Sequence, residues 1–447
     1  MAASGRNSKS MAGNRSTWFT ATVLAAGVLL RYALTLPGYN WDVVSYDIVG
    51  QIAANGGNVY AETTRYNYAP IFMQIEALAW RIGQLTPYPR QTLRLFIMTL
   101  LTLTDIGIFA YVKKKAGLLW AALFFLNPVT LIITGYHNQF DNMAVLVSFL
   151  AAECMIRGQR GAARAAETKI NNHHGMGSSI DQARVNQAGN NRAGVNQTGA
   201  NQAGVSWNRW DTAAIALLTL SLCVKHLLYA YPAWLLFTQR LPRRKKPAYV
   251  ILPPLLFLAS FLPYWKDGSA GILSNVFLYR SDSNYPLLAQ AWLKAMIHTY
   301  QGIPHPLLVF IALMLLAAWL LRREMSDRAL WLYFLCLVSF SSAIANQYLA
   351  IPCASLALLL GTTRAKNGRI LSGAALLTTL YFLMEGIYLC LNLNGLQVLG
   401  SYPRETTGLA HHLAEGMYMY PVAAWLLLLL LIMYGSRKGG SGGTSLV

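Results

Sequence analysis

The chain is 447 residues long, 55% hydrophobic and only 12% charged, with a mean hydropathy of +0.37 and a formal charge of +19. That balance excludes the water-soluble classes. The cations fall in short clusters between apolar runs, which argues for a membrane-topology signal and against a nucleic-acid partner. Cys154, Cys223, Cys336, Cys353 and Cys390 all lie in or at the ends of apolar segments without a CxxC pair, so neither disulfides nor zinc are expected.

A basic leader with Arg6, Lys9 and Arg15 is read as a cytoplasmic tail over residues 1–16. The apolar run that follows, roughly 17 to 37, holds Arg31 and ends in "LTLPGYN" without a small-x-small cleavage site, so it reads as a retained first span. A bilayer core of about 30 Å needs about 20 apolar residues per helix, and by that rule the chain is an all-α polytopic membrane protein of roughly twelve segments. Their expected centres are Ala26, Leu103, Leu123, Leu146, Leu217, Trp234, Leu255, Leu313, Leu337, Leu356, Leu377 and Leu427. The segment "YAPIFMQIEALAW" (68–80) is expected to lie as a helix on the outer surface. The runs around Leu217 and Trp234 share one apolar stretch and read as a tight hairpin or one broken helix.

With the N-terminus inside, 26 of the 36 Lys and Arg fall in inner segments, as the positive-inside rule requires. Residues 17–160 then form a first membrane module. From 161 to 209 the composition turns to Gly, Asn, Gln and Ala, with the unit "NQAGN", "NRAGV", "NQTGA", "NQAGV". These units lack the regular apolar residue a solenoid needs, so a disordered cytoplasmic insert is expected. The remaining segments occupy 210–436, and 437–447 reads as a cytoplasmic tail with no ER-retrieval signal. Multi-pass insertion in a bacterial plasma membrane is expected, or in the ER membrane of a eukaryote. Three sizeable outer loops result, at 38 to about 95, 265 to 304 and 391 to 419, and chemistry is expected there.

The first outer loop carries two carboxylates, Asp42 and Asp47, among aromatic residues and glycines; a solvated loop is the plain alternative. At the outer tip of a later hairpin stand His137, Asn138, Gln139, Asp141 and Asn142, more polar groups than a turn requires. They could line a cavity for a polar ligand. In "LTLSLCVKHLLYAYPAWLLF" (218–237) Lys225 and His226 interrupt an otherwise apolar run. An ammonium at a bilayer centre costs about 2.5–3.5 kcal/mol, so either Lys225 snorkels to the interface or an anion meets it. Lying toward the outer half, it sits near the depth of a lipid-linked phosphate. Arg31 and Arg280 are the other cations that could converge there, held by charge-assisted hydrogen bonds.

"GVLLRYALTLPGYNWDVVSYDIVGQIA" followed by "YNYAPI" resembles the start of the GT-C membrane glycosyltransferases, in particular the dolichyl-phosphate-glucose glucosyltransferases of asparagine-linked glycosylation. "YHNQFDN" looks like their His-Phe-Gln-Tyr-Asn turn, and "CVKHLLYAYPAWLLF" is similar to their Phe-Lys-(His/Gln)-x-x-Leu-Tyr-x-x-Pro signature, which includes His226 and Tyr229. "IANQYLAIP" (344–352), with Gln347, and "VYAETTRYNYAP" resemble the first mannosyltransferase of GPI synthesis instead. The resemblance spans about residues 20 to 355. It implies a GT-C-like fold, with Asp42 at the catalytic carboxylate and Lys225 and Arg280 at donor-phosphate positions.

The expected activity is an inverting transfer of a hexose, glucose or mannose, from a polyprenyl-phosphate carrier to a hydroxyl of a glycan, lipid or protein acceptor. Asp42 would be the general base, with Asp47 the second candidate; His137, Gln139 and Asp141 would hold sugar or acceptor. Tyr66, Tyr68 and Pro70 would shape the loop. The chemistry calls for no cofactor or metal: His411 and His412 are adjacent, point apart and have no obvious third ligand. Two other classes fit a many-helix chain, a secondary transporter and an O-antigen-type polymerase or ligase.

Overall fold

A computed structural model describes residues 4–36, 39, 41–175, 207–279, 306–340, 348 and 350–362. Every regular element among them is helical. The first, α1, runs over Ser4–Ala33, and α2, α3 and α4 follow at Trp41–Ala54, Val59–Glu62 and Pro70–Gly83. A long helix α5 covers Pro89–Ala116. It opens on a proline whose missing N–H has no helical partner to lose, and it closes on Lys113, Lys114 and Lys115, which complement the negative helix end. Gly117 stops it with a φ of 98°, a conformation that side chains disfavour.

Beyond that glycine α6 (Leu118–Phe125) and α7 (Pro128–Ile132) meet at a bend of 48°, where Pro128 cannot continue the ladder, and a π turn over Ile133–His137 completes α7. The next helix, α8, covers Asp141–Gly175. It runs past residue 161, where composition suggests a disordered insert, because "GAARAAETK" is made of good helix formers. Residues 176–206 of that insert lie outside the described residues.

The stretch 218–237 is a hairpin and not a span. Helix α9 (Arg209–Val224) starts on a capping box of Asn208 and Asp211 and breaks at Lys225, whose φ and ψ of −153° and 130° are extended. A 3-10 turn (His226–Leu228) and α10 (Tyr231–Phe237) return the chain. Its far end is tied to the start of α9: Lys245 donates to Asp211 at 2.6 Å, as does the Tyr249 hydroxyl at 3.0 Å. Then come α11 (Lys246–Ala259), α12 (Trp265–Gly271) with a π turn over Ile272–Phe277, α13 (Pro306–Leu320), α14 (Ser326–Phe340) and α15 (Ile351–Thr362).

Two of these stretches, Pro89–Ala116 and Lys246–Phe277, are long and apolar enough to cross a bilayer as single helices, and the bent pair Leu118–Phe125 with Pro128–His137 makes a third. The expected count of roughly twelve full-length segments is not reached among the described residues. Helices α9, α14 and α15 have 16, 15 and 12 residues, and the centres Leu377 and Leu427 lie outside. One end of the bundle gathers the basic clusters, with Lys115 paired to Glu153 at 3.0 Å and to Asp327 at 3.1 Å. At the opposite end the first outer loop packs on α12: the Asn58 amide donates to the Tyr264 carbonyl at 3.0 Å, and Gly271 lies too close to the Tyr60 carbonyl for any side chain. Residues 70–83 form a helix, as expected, packed against α2 and α5 with Phe72, Met73 and Glu76 buried.

Candidate functional site

The site is organised by the three residues 138–140 between the π turn that completes α7 and the start of α8. At their head Asn138 adopts a left-handed backbone (φ 56°), which asparagine tolerates better than most residues. Its side chain is fully used in holding that turn: the amide donates to the Thr134 carbonyl at 2.9 Å and the oxygen accepts from Arg94 Nε at 3.0 Å. The Tyr46 hydroxyl donates to its carbonyl at 3.1 Å. Asn138 is therefore a fixture of the turn and leaves ligand contact to its neighbours.

Beyond it the next residues point two ways. Gln139 Nε2 donates to Asp42 Oδ2 at 2.5 Å, which joins the turn to the first helical turn of α2. Asp141 Oδ2 accepts from Lys225 Nζ at 2.7 Å, which joins it to the break in α9. Asp42, Gln139, Asp141 and Lys225 thus meet across a single tight turn, although they come from positions as far as 183 residues apart in the chain. Three rings surround the ammonium: Phe140 at 5.2 Å, Tyr68 at 5.4 Å and Tyr348 at 5.6 Å. Such a cage stabilises a cation held away from water.

Bonding capacity is left over around this turn. Gln139 Oε1, Asp141 Oδ1 and His226 Nδ1 are buried and make no hydrogen bond within the protein. Buried polar atoms are nearly always paired, so three near one another set this region apart from ordinary core. The His226 ring stands 6.1 Å from Tyr68, on the same side as Lys225. Behind this wall, on α4, Glu76 is buried with Oε2 unpaired, and burial pushes its carboxyl well above the ordinary range.

The other expected residues are distributed elsewhere. Arg31 is committed to Asp105: Nη2 and Nε reach one carboxylate oxygen at 2.8 and 3.1 Å, Nη1 donates to the Gly27 and Phe125 carbonyls, and the Phe125 ring lies 4.2 Å away. Asp105 in turn accepts from Thr134 at 2.7 Å and from Asn142 at 2.7 Å. Four of the five guanidinium N–H groups are engaged in this way, and Arg31 ties α1 to α5. Asp47, five residues beyond Asp42, faces away and pairs with Arg90 at 2.9 Å. Tyr229 is half-exposed and stacks on Phe310 at 5.9 Å, and the His137 ring stands 5.6 Å from Tyr136. Arg280 and Gln347 lie outside the described residues, as does the outer loop 391–419.

Sequence reading misses Arg94, Asp105, Phe140 and Tyr348. The first two carry a usable signal, since ionisable residues inside an apolar helix mark a partner by default. The two rings lie inside the quoted motifs "YHNQFDN" and "IANQYLAIP", where attention to the polar members alone passes over them.

No family model matches the chain, and no curated protein matches it. Among solved structures it is similar to crystal structures of ArnT from Cupriavidus metallidurans, in the apo state (12% identity, TM-score 0.44) and bound to undecaprenyl phosphate (14% identity, TM-score 0.45). Each alignment covers 95% of this chain and 78% of the other.

Proposed function

We propose that the chain is an integral membrane glycosyltransferase that moves a hexose, glucose or mannose, from a polyprenyl-phosphate carrier to an acceptor hydroxyl at the outer face. The reading rests on one observation: a carboxylate and an ammonium, Asp42 and Lys225, are held by alternate residues of the same turn, Gln139 and Asp141. A base and a phosphate anchor at that spacing are the two groups such a transfer asks for.

In this reaction Asp42 takes the proton of the acceptor hydroxyl as its oxygen bonds to the anomeric carbon. The bond from that carbon to the phosphate oxygen breaks, its electron pair stays on the phosphate, and a single displacement inverts the centre. Gln139 aims the carboxylate. Lys225 has further N–H groups beyond the one given to Asp141, and these meet the charge that grows on the departing phosphate. Asp141 keeps the ammonium tolerable in its low-dielectric site while no donor is bound. Proton removal by a placed carboxylate typically contributes about 10²–10⁴-fold.

The break in α9 at a buried cation also favours a second reading, a secondary transporter, because discontinuous helices build transporter sites. One experiment separates the two. Purified protein in detergent is given radiolabelled polyprenyl-phosphate glucose or mannose with membrane-lipid extract as acceptor source. Transfer needs no sealed compartment, whereas transport does. Asp42→Asn is expected to lower transfer by about 10²–10⁴-fold with the protein still folded; an unchanged rate removes Asp42 as base, and no transfer by the wild-type protein removes this reading.

A further inference from the structure

On the side of α2 away from Asp42 lies an open cleft of about 580 Å³, within the range of small-molecule sites. Asp47 lies five residues beyond Asp42, which is roughly 7.5 Å along the helix and about 140° around it, so the two carboxylates stand on different sides of one rod within the length of a short oligosaccharide. The cleft is bounded by the end of α4, the turn after it and the start of α5.

Its lining is of two kinds. Trp80 and Tyr88 supply aromatic faces, and the Trp80 side chain is seated against α2, where a Cβ on Gly50 would meet it at 3.0 Å. Gln51, Gln84 and Gln91 present amides, each with donors and an acceptor. The charged members cancel: Arg90 Nε and Nη2 both reach Asp47 Oδ2 at 2.9 Å. A phosphate site would display uncompensated cations and a cation site several carboxylates, and this cleft has neither. A lipid tail is disfavoured by the amides. Rings that accept a C–H face, beside planar groups that bridge neighbouring hydroxyls, match a neutral saccharide.

We infer that this cleft is a second site, for a neutral oligosaccharide, and that it docks the sugar part of the acceptor while its reactive hydroxyl reaches Asp42. The docking role rests on the proposed transfer; saccharide binding itself does not. The cleft turns Asp47 from a candidate base into a wall of the acceptor site.

Saturation-transfer NMR on the full-length protein, in a detergent without a sugar headgroup, tests this with maltotriose and mannotriose as probes and inorganic phosphate as competitor. A signal from at least one trisaccharide is expected, undisturbed by phosphate, retained in Asp42→Asn, and weakened at least about tenfold in Gln84→Ala/Gln91→Ala. Both glutamines are exposed, and an unchanged melting temperature shows that the double variant folds. In the transfer assay that variant is expected to raise the acceptor KM and keep kcat. Absence of any trisaccharide signal, displacement by phosphate, or binding indifferent to the double variant overturns the inference. Trisaccharide binding without any transfer by the wild-type protein overturns the transferase reading alone.

Discussion

Three buried ion pairs stand among the described residues, Arg31–Asp105, Lys225–Asp141 and Lys245–Asp211, and the first two are built to opposite ends. The Arg31–Asp105 pair is densely bonded: the guanidinium meets a carboxylate, two carbonyls and a ring, and the carboxylate meets Thr134 and Asn142, whose own Oδ1 has no partner. The Lys225–Asp141 pair makes one hydrogen bond at 2.7 Å, leaves Asp141 Oδ1 bare, and sits beside the unpaired Nδ1 of His226. The first network ties helices together through many bonds, and the second holds its ammonium by a single one. Burial alone does not separate the two pairs, since both are almost wholly removed from solvent; hydrogen-bond accounting does.

The contrast can be broken in four places. Asp105→Ala strands a buried guanidinium, and removing one partner of such a pair costs about 3–5 kcal/mol, so a large fall in melting temperature and in monodisperse yield is expected on size-exclusion chromatography. A variant that melts with the wild type would make the densely bonded pair dispensable. Lys225→Met is expected to cut transfer by about 10²–10³-fold, the effect of removing one group that stabilises developing charge, with a smaller loss of thermal stability than Asp105→Ala. Were the two variants to lose stability equally, with transfer falling only in proportion to folded protein, Lys225 would be structural too.

Glu76 extends the series to an acid with no cation. It lies on α4, outside the membrane-crossing segments, and burial raises its carboxyl above the unfolded value. A group raised in the folded state contributes stability that is present below its unfolded pKa, about 4.3, and is lost as pH rises through the folded one. Stability should therefore decline on the alkaline side by up to about 1.4 kcal/mol per pH unit, and Glu76→Gln should flatten that decline in melts taken across pH. The smallest effect belongs to the exposed pair: Arg90→Gln, breaking the contact with Asp47, is expected to change stability by only about 0–1 kcal/mol, within reach of a denaturant titration.

Much of the site is legible in the sequence. A lysine in an apolar run, an excess of polar groups at one hairpin tip and an acid at the head of the first outer loop each violate a local expectation, and all three converge on the turn between α7 and α8. The fold is legible in part. The helix at 70–83 and the interruption within 218–237 follow from hydropathy and length, whereas the continuation of α8 to Gly175 is hidden by a shift in composition that helix propensity overrides. The partners of Asp47 and Arg31, Arg90 and Asp105, are not legible along the chain.

By itself the sequence determined which residues are out of place, because the expense of a charge in an apolar stretch is set by its immediate neighbours along the chain. Only the tertiary structure decided which charges are neutralised and which stay open. Arg31 finds Asp105 across 74 residues, Lys225 finds Asp141 across 84 and Asp42 finds Gln139 across 97. Pairing at such distances depends on which helix faces meet and where a helix breaks, and hydropathy along the chain carries no record of either.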